Sequence, residues 1–173
     1  MTDNVYLGNP NLKKANTPHE FTEEQVIEFI KCKNDPVYFA KKYIKIVSLD
    51  EGLTQFHPYD FQETLIKRFH KHRFNICKMP RQTGKSTTSV SYLLHYAVFN
   101  DSTNIGILAN KAATARDLLG RLQTAYENLP KWMQQGIISW NKGSLELENG
   151  SKILAASTSA SAVRGMSFNI LFL

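Results

Sequence analysis

Met79-Pro80-Arg81-Gln82-Thr83-Gly84-Lys85-Ser86-Thr87 decides how this sequence is read. A short apolar run, Phe74-Asn75-Ile76-Cys77-Lys78-Met79, precedes it, and a helical pattern opens from it and continues to about residue 99. A strand, a tight turn containing Gly-Lys-Ser and then a helix is the layout of a phosphate-binding loop. The first amides of such a helix have no intrahelical acceptor, and the helix dipole adds roughly half a positive charge there. A glycine lets the backbone curl so that those amides converge on an anion. In that layout Lys85 neutralises the β and γ oxygens of a nucleotide and the Ser86 hydroxyl ligates Mg²⁺. The general pattern G-x-x-x-x-G-K-[ST] wants glycine where this chain has Met79, so the reading rests on Gly84-Lys85-Ser86 in its strand–helix context. The competing reading is a surface turn with a glycine closing a helix. Here the helical pattern starts after the glycine, which disfavours it.

Bulk properties set the frame. At 173 residues, with 42% apolar and 21% charged residues, the chain has the size and composition of a globular domain with a real core. No stretch approaches the ~20 uninterrupted apolar residues a membrane helix needs. Met1-Thr2-Asp3-Asn4 lacks the basic-then-apolar layout of a secretion signal. Cys32 and Cys77 are too few and too isolated for a disulfide framework or a metal site, so cytosolic chemistry is the default expectation. A net charge of +6 favours polyanionic partners without identifying one.

Upstream of the loop, residues 1 to about 20 read as an irregular lead-in. Thr22 followed by Gln25 is a capping-box signature for a helix over about 22–33, with Val26, Ile27, Phe29 and Ile30 as its apolar face. Asp35-Pro36 reads as an N-cap with proline at the first position of a second helix. Lys31, Lys33, Lys41, Lys42 and Lys45 read as solvated helix faces. From 58 to about 73, Phe61, Leu65, Ile66 and Phe69 fall on one helical stripe. Gln62 sits near the start of that helix. Its amide offers the donor and acceptor that suit an adenine edge, and an aromatic neighbour would stack on the base. Periodicity alone equally permits a solvent-facing glutamine beside core aromatics. The basic run Lys67-Arg68-Phe69-His70-Lys71-His72-Arg73 suits a nucleic-acid backbone or, just as well, the negative end of its own helix.

Downstream, Val90, Leu93, Leu94, Ala97 and Val98 make an amphipathic helix. Ile105 to Ala109 reads as a buried strand, and Ala115, Leu118, Leu119, Leu122, Ala125, Tyr126 and Leu129 as a long helix closed by Pro130. Strand, helix, strand, helix predicts a parallel sheet with right-handed crossovers. Asn141-Lys142-Gly143 and Glu148-Asn149-Gly150 are turn signals among short alternating runs, which predicts a β-hairpin insertion. Ile170-Leu171-Phe172-Leu173 reads as one more central strand. In phosphate-loop enzymes such a strand carries at its end an acid that holds Mg²⁺. The strand is here without the acid, and the expectation is a fragment cut one step short of it.

Several of these segments together resemble one family, the large terminase subunit of tailed bacteriophages, particularly the T4-like group. Residues 7–16 are similar to the family's lead-in to its ATPase domain, and Tyr59-Asp60-Phe61-Gln62 to its adenine-binding motif. Pro80-Arg81-Gln82-Thr83-Gly84-Lys85-Ser86 resembles its form of the loop, which lacks the leading glycine. Trp140-Asn141-Lys142-Gly143-Ser144 and Val163-Arg164-Gly165-Met166-Ser167-Phe168 also look like family segments. The resemblance implies an α/β, RecA-like P-loop NTPase core over 58–173, a helical lead-in over 1–57, and ATP with Mg²⁺ as cofactors. It implies binding by Phe61, Gln62, Arg81, Gln82, Thr83, Gly84, Lys85, Ser86 and Thr87, catalysis by Lys85 with Arg81 and Arg164, and Ser86 on the metal. Arg164 is otherwise a surface arginine at a glycine turn. An Asp-Glu pair, a lid and a nuclease domain are implied beyond Leu173, so this stretch alone is expected to turn over little ATP.

The implied task is packaging of double-stranded DNA by a homo-oligomeric ring, with a portal protein and a small terminase subunit, in the host cytoplasm and away from membranes. Two other readings share the residues: a helicase-like nucleic-acid translocase, and a nucleotide- or DNA-binding module that does not hydrolyse.

Overall fold

The computed structural model describes residues 4–48, 50–158 and 165–173. Five helices and seven strands follow one another in the order α1 (Glu23–Asn34), α2 (Pro36–Tyr43), β1 (Lys45–Ser48), β2 (Gly52–Gln55), α3 (Asp60–Lys71), α4 (Lys85–Phe99), β3 (Asn104–Ala109), α5 (Ala112–Glu127), β4 (Ile137–Trp140), β5 (Ser144–Leu147), β6 (Lys152–Ser157) and β7 (Ile170–Phe172). β1 and β2 form a separate antiparallel ribbon. The main sheet has the order β4-β5-β6-β3-β7. β6, β3 and β7 run parallel, while β4, β5 and β6 are antiparallel neighbours. The expected hairpin therefore extends the parallel core edge to edge, and the sheet is mixed.

α4 owes its position to composition. From Thr88 to Phe99 only Tyr96 is not buried, and a helix apolar nearly all round must be enclosed. It lies against α5, α3 and α2, and α5 in turn covers β3 and β6. Leu94, Ala97, Ile105, Ile107, Leu119, Leu122 and Tyr126 are fully buried in one continuous core. Phe39, Ala40 and Ile44 of the N-terminal segment belong to the same core.

The helix starts follow local rules. Thr22 and Gln25 form the reciprocal capping box, at 3.2 Å in each direction. Asp35 accepts from Val37 and Tyr38 ahead of Pro36. The apolar face expected on α1 is only partly used. Phe29 and Cys32, three residues apart, face the core, whereas Val26, Ile27 and Ile30 are exposed, α1 packing chiefly on α2.

The lead-in is more ordered than its composition suggests. Gln134 is buried, accepts from the Lys13 amide at 3.0 Å and donates to the Asn11 carbonyl at 3.0 Å. Glu148 accepts from the Gly136 and Asn16 amides. Lys14 then bridges in parallel to Ile137 at the β4 edge, and Leu12 is buried beneath.

Two strand expectations need correction. Residues 74–79 form no strand: they pair with neither edge strand of the sheet, β4 or β7. Phe74 and Ile76 stand exposed, Ile76 completely. β7 is a strand, but at the sheet's edge rather than its centre, with Leu171 half exposed. It seats there because Gly106 has no side chain: a Cβ at that position would lie 2.9 Å from Leu171 and 3.1 Å from the Phe168 ring.

His95 sits inside this core between Phe39, Tyr92 and Phe99. Its Nε2 donates to the Cys32 carbonyl at 2.9 Å, and Nδ1 has no partner among the described residues. Burial first, with the neighbouring His70 adding to it, pushes its pKa down to about 4 from 6.5. The unfolded chain binds this proton more readily than the folded one, so the stability is full above pH ~6.5 and is lost as the pH falls toward 4. Unfolding free energies from denaturant melts are expected to fall across that window with a slope approaching ~1.4 kcal/mol per pH unit from this one group, and His95→Gln is expected to flatten the slope.

Candidate nucleotide-binding site

Gly84 occupies the N-cap of α4 with φ +74°, a left-handed backbone that costs other L-residues roughly 1–2 kcal/mol. Gln82, two residues earlier, also has positive φ, at +62°. These two reversals fold the loop sharply back into the helix. The first bond of α4 runs from the Thr88 amide to the Gly84 carbonyl at 2.9 Å, and the Thr88 hydroxyl donates to the same carbonyl at 3.0 Å. The amides of Lys85, Ser86 and Thr87 precede that bond and have no acceptor within the helix.

The loop is braced by its own side chains. Thr83 donates its hydroxyl to the Pro80 carbonyl at 3.0 Å. The Lys85 ammonium donates to the Met79 carbonyl at 2.9 Å and to the Pro80 carbonyl. Lys85 thus lies folded over the turn, half exposed, with its charge next to the free amides of its own helix start.

A second helix begins at the same place. Gln62 is the third residue of α3 and its Oε1 accepts from the Tyr59 amide at 2.9 Å, the return half of a capping box. Its Nε2 donates to the Thr83 carbonyl at 3.2 Å. The side chain is 4% exposed and lies directly against Gly84, where a Cβ would collide with Nε2. The N-termini of α3 and α4 therefore meet across one amide, and both dipoles bring positive potential to it.

The aromatic neighbours are outside this junction. Tyr59 and Phe61 stack at 5.8 Å with rings 11° from parallel, and both are exposed. Phe61 also lines a groove of about 540 Å³ with Leu65, Arg68, Phe74, Lys78 and Met79. This arrangement offers a flat apolar face and two cations beside the loop.

Of the residues singled out in the sequence, Gln62, Thr83, Gly84, Lys85, Ser86 and Thr87 converge, Phe61 flanks them, and Arg81 and Gln82 stand exposed on the loop. Arg164 lies outside the described residues. Among the described residues no group of three or more His, Cys, Asp or Glu side chains is placed to hold a metal ion. Ser86 lies in the first turn of α4, partly buried. Four contributors were not evident from the sequence: the Tyr59 amide, the Met79 carbonyl, the Pro80 carbonyl and the Thr88 hydroxyl. Only the first carried a signal, a glutamine three residues after a non-helical position.

Residues 76–173 match a family model described as the N-terminal part of the terminase large subunit, T4likevirus-type. The crystal structure of the HK97 bacteriophage large terminase superposes with a TM-score of 0.66 at 18% identity, over 80% of this chain and 30% of that one. At that identity the likeness speaks to the fold, an α/β fold of the phosphate-loop type. The chain spans less than a third of that protein's length.

Gly84→Ala combines a strained φ with displacement of Gln62. It is expected to lower stability by about 2–3 kcal/mol, read as a shift in the denaturant midpoint, while the exposed control Gly8→Ala has open space around its Cβ position and pays only the φ cost of about 1–2 kcal/mol.

Proposed function

This chain belongs to the T4-type terminase large-subunit family, and on that premise we propose that residues 79–88 bind the triphosphate of ATP with Mg²⁺ in the motor that packages double-stranded DNA. The observation that carries the reading is the paired junction at Gly84, where two helix N-termini, a left-handed glycine and Lys85 meet. An anion there gains from the unpaired amides and from both dipoles. The lysine is already tethered within the loop and exchanges carbonyl oxygens for phosphate oxygens over a short swing.

In this reading the loop amides and Lys85 hold the phosphates. Ser86 supplies one oxygen to Mg²⁺, which ordinarily completes its six ligands with water and phosphate oxygens. Tyr59 and Phe61 offer an apolar ring face to the base. Arg81, exposed on the loop, and Arg164 are the candidates to offset charge on the transferring phosphoryl group. Membership of the family supports extending this reading, for the full-length protein, to ATP hydrolysis, movement along duplex DNA, a homo-oligomeric ring, contact with a portal protein and a small subunit, and residence in the host cytoplasm.

Lys85→Ala in the full-length protein tests the core of this. It is expected to weaken Mg²⁺-ATP binding at least tenfold by calorimetry and to abolish ATP-driven DNA packaging, with thermal unfolding nearly unchanged because Lys85 is not in the core. A Lys85→Ala protein with wild-type ATP affinity and turnover would overturn the assignment.

A further inference from the structure

The positive charge of the chain is concentrated in one stretch. Residues 64–100 hold seven Lys and Arg side chains and no Asp or Glu, against a net charge of +6 for the whole chain. The other residues carry 14 cations and 15 acids, which nearly cancel. Arg81 and Lys85 belong to the phosphate loop. Lys67, Arg68, Lys71 and Arg73 gather at the far end of α3, and all four are exposed. Ile66 and Phe69 turn inward to the core, so the cations form the outer face of the helix. Among the described residues the five ion pairs use none of these cations. The groove beside them has Arg68 and Lys78 in its walls and no acid.

The negative end of the helix accounts for part of this. Cations in a last turn complement the helix dipole, which covers Arg68 and Lys71. Lys67 precedes that turn and Arg73 follows the C-cap His72. Lys67 and Lys71 also stand four residues apart on the exposed face, where like charges repel. Helix stability alone would favour an acid at one of these positions. We propose that the outer face of α3 around Lys67, Lys71 and Arg73 is a contact surface for the sugar-phosphate backbone of duplex DNA. The inference rests on the reading of the full-length protein as one that acts on duplex DNA, and adds where this part of it meets the duplex. DNA carries one phosphate charge per about 1.7 Å of helix axis, and cations that neutralise those charges release condensed counterions. An acid-free face gains most from that exchange, because no carboxylate competes for its cations. Flexible, strongly hydrated ammonium groups suit backbone contacts that fix position and read no sequence. At 12 residues, α3 is about 18 Å long, and its start lies against the phosphate loop. One helix therefore carries the DNA surface at one end and touches the loop at the other.

The test compares the full-length protein with the triple variant Lys67→Gln/Lys71→Gln/Arg73→Gln and with a charge-matched control, Lys33→Gln/Lys45→Gln/Lys142→Gln, whose lysines are exposed elsewhere on the surface. Affinity for a duplex of about 30 base pairs is read by fluorescence anisotropy between about 50 and 200 mM salt, without nucleotide. The triple variant is expected to lower the slope of log affinity against log salt by about 1 per residue removed, about 3 in all, and to weaken binding equally for two unrelated sequences. The control is expected to keep the wild-type slope. Mg²⁺-ATP affinity of the triple variant is expected to be unchanged, because the substituted side chains stand at the opposite end of α3 from the loop. In the wild type, duplex DNA is expected to shield Lys67 and Lys71 from amine acylation, read by mass spectrometry, and to leave Lys33 and Lys45 reactive. A wild-type slope in the triple variant, or Lys67 and Lys71 equally reactive with and without DNA, would overturn the proposal and leave these cations to the helix dipole or to an acidic protein partner. A fall in slope matched by the control would overturn it too, since net charge alone would then account for binding. A wild-type protein that binds no duplex would instead remove the packaging reading beneath it.

Discussion

The left-handed backbone at Gly84 is the constraint on which the rest of the molecule depends. It lets the chain turn out of the loop directly into α4, and α4 is the helix that the remaining helices enclose. A helix buried on nearly every side cannot shift without disturbing the whole core. Its N-terminus is therefore held in place by packing from below and by Gln62 from the side. Binding chemistry placed on such a start inherits the rigidity of the core, which is what preorganised amides require.

The same core explains how the N-terminal segment is recruited. Its helices are short and α1 keeps Val26, Ile27 and Ile30 exposed, so burial of its own apolar face does not hold it. What holds it is a set of inserted groups: Phe39 and Ile44 in the core, Leu12 under the lead-in, and the side chains of Gln134 and Glu148 reaching back to backbone amides and carbonyls near the start of the chain. Lys41 and Glu63, 2.6 Å apart, add a tie between α2 and the helix that carries Gln62. That pair is partly solvent-exposed and contributes little energy by itself, but it lies on the route from the lead-in to the loop.

What was legible in the sequence was local. Thr22 with Gln25, Asp35 with Pro36, and the alternation around Asn141-Lys142-Gly143 each specify their element through neighbours within a few residues, and each element formed. Gly84, Lys85 and Ser86 were legible for the same reason. The misreadings all turn on partners far along the chain. Whether residues 74–79 become a strand depends on pairing with an edge strand far along the chain, and they pair with neither β4 nor β7. Whether β7 is central or marginal depends on what pairs with its second edge. Periodicity on α1 marks a stripe without saying what covers it. Gln62 showed its helix-start role in the spacing from Tyr59, but its contact with the loop joins residues 21 positions apart and leaves no pattern in either segment.

The most direct test of the account is a crystal structure of the full-length protein with Mg²⁺ and a non-hydrolysable ATP analogue. The account predicts the triphosphate seated against the amides of residues 84–87, the Lys85 ammonium moved from the Met79 and Pro80 carbonyls onto phosphate oxygens, and the Ser86 hydroxyl on the metal. A nucleotide bound elsewhere, with Lys85 still on those carbonyls, would contradict it.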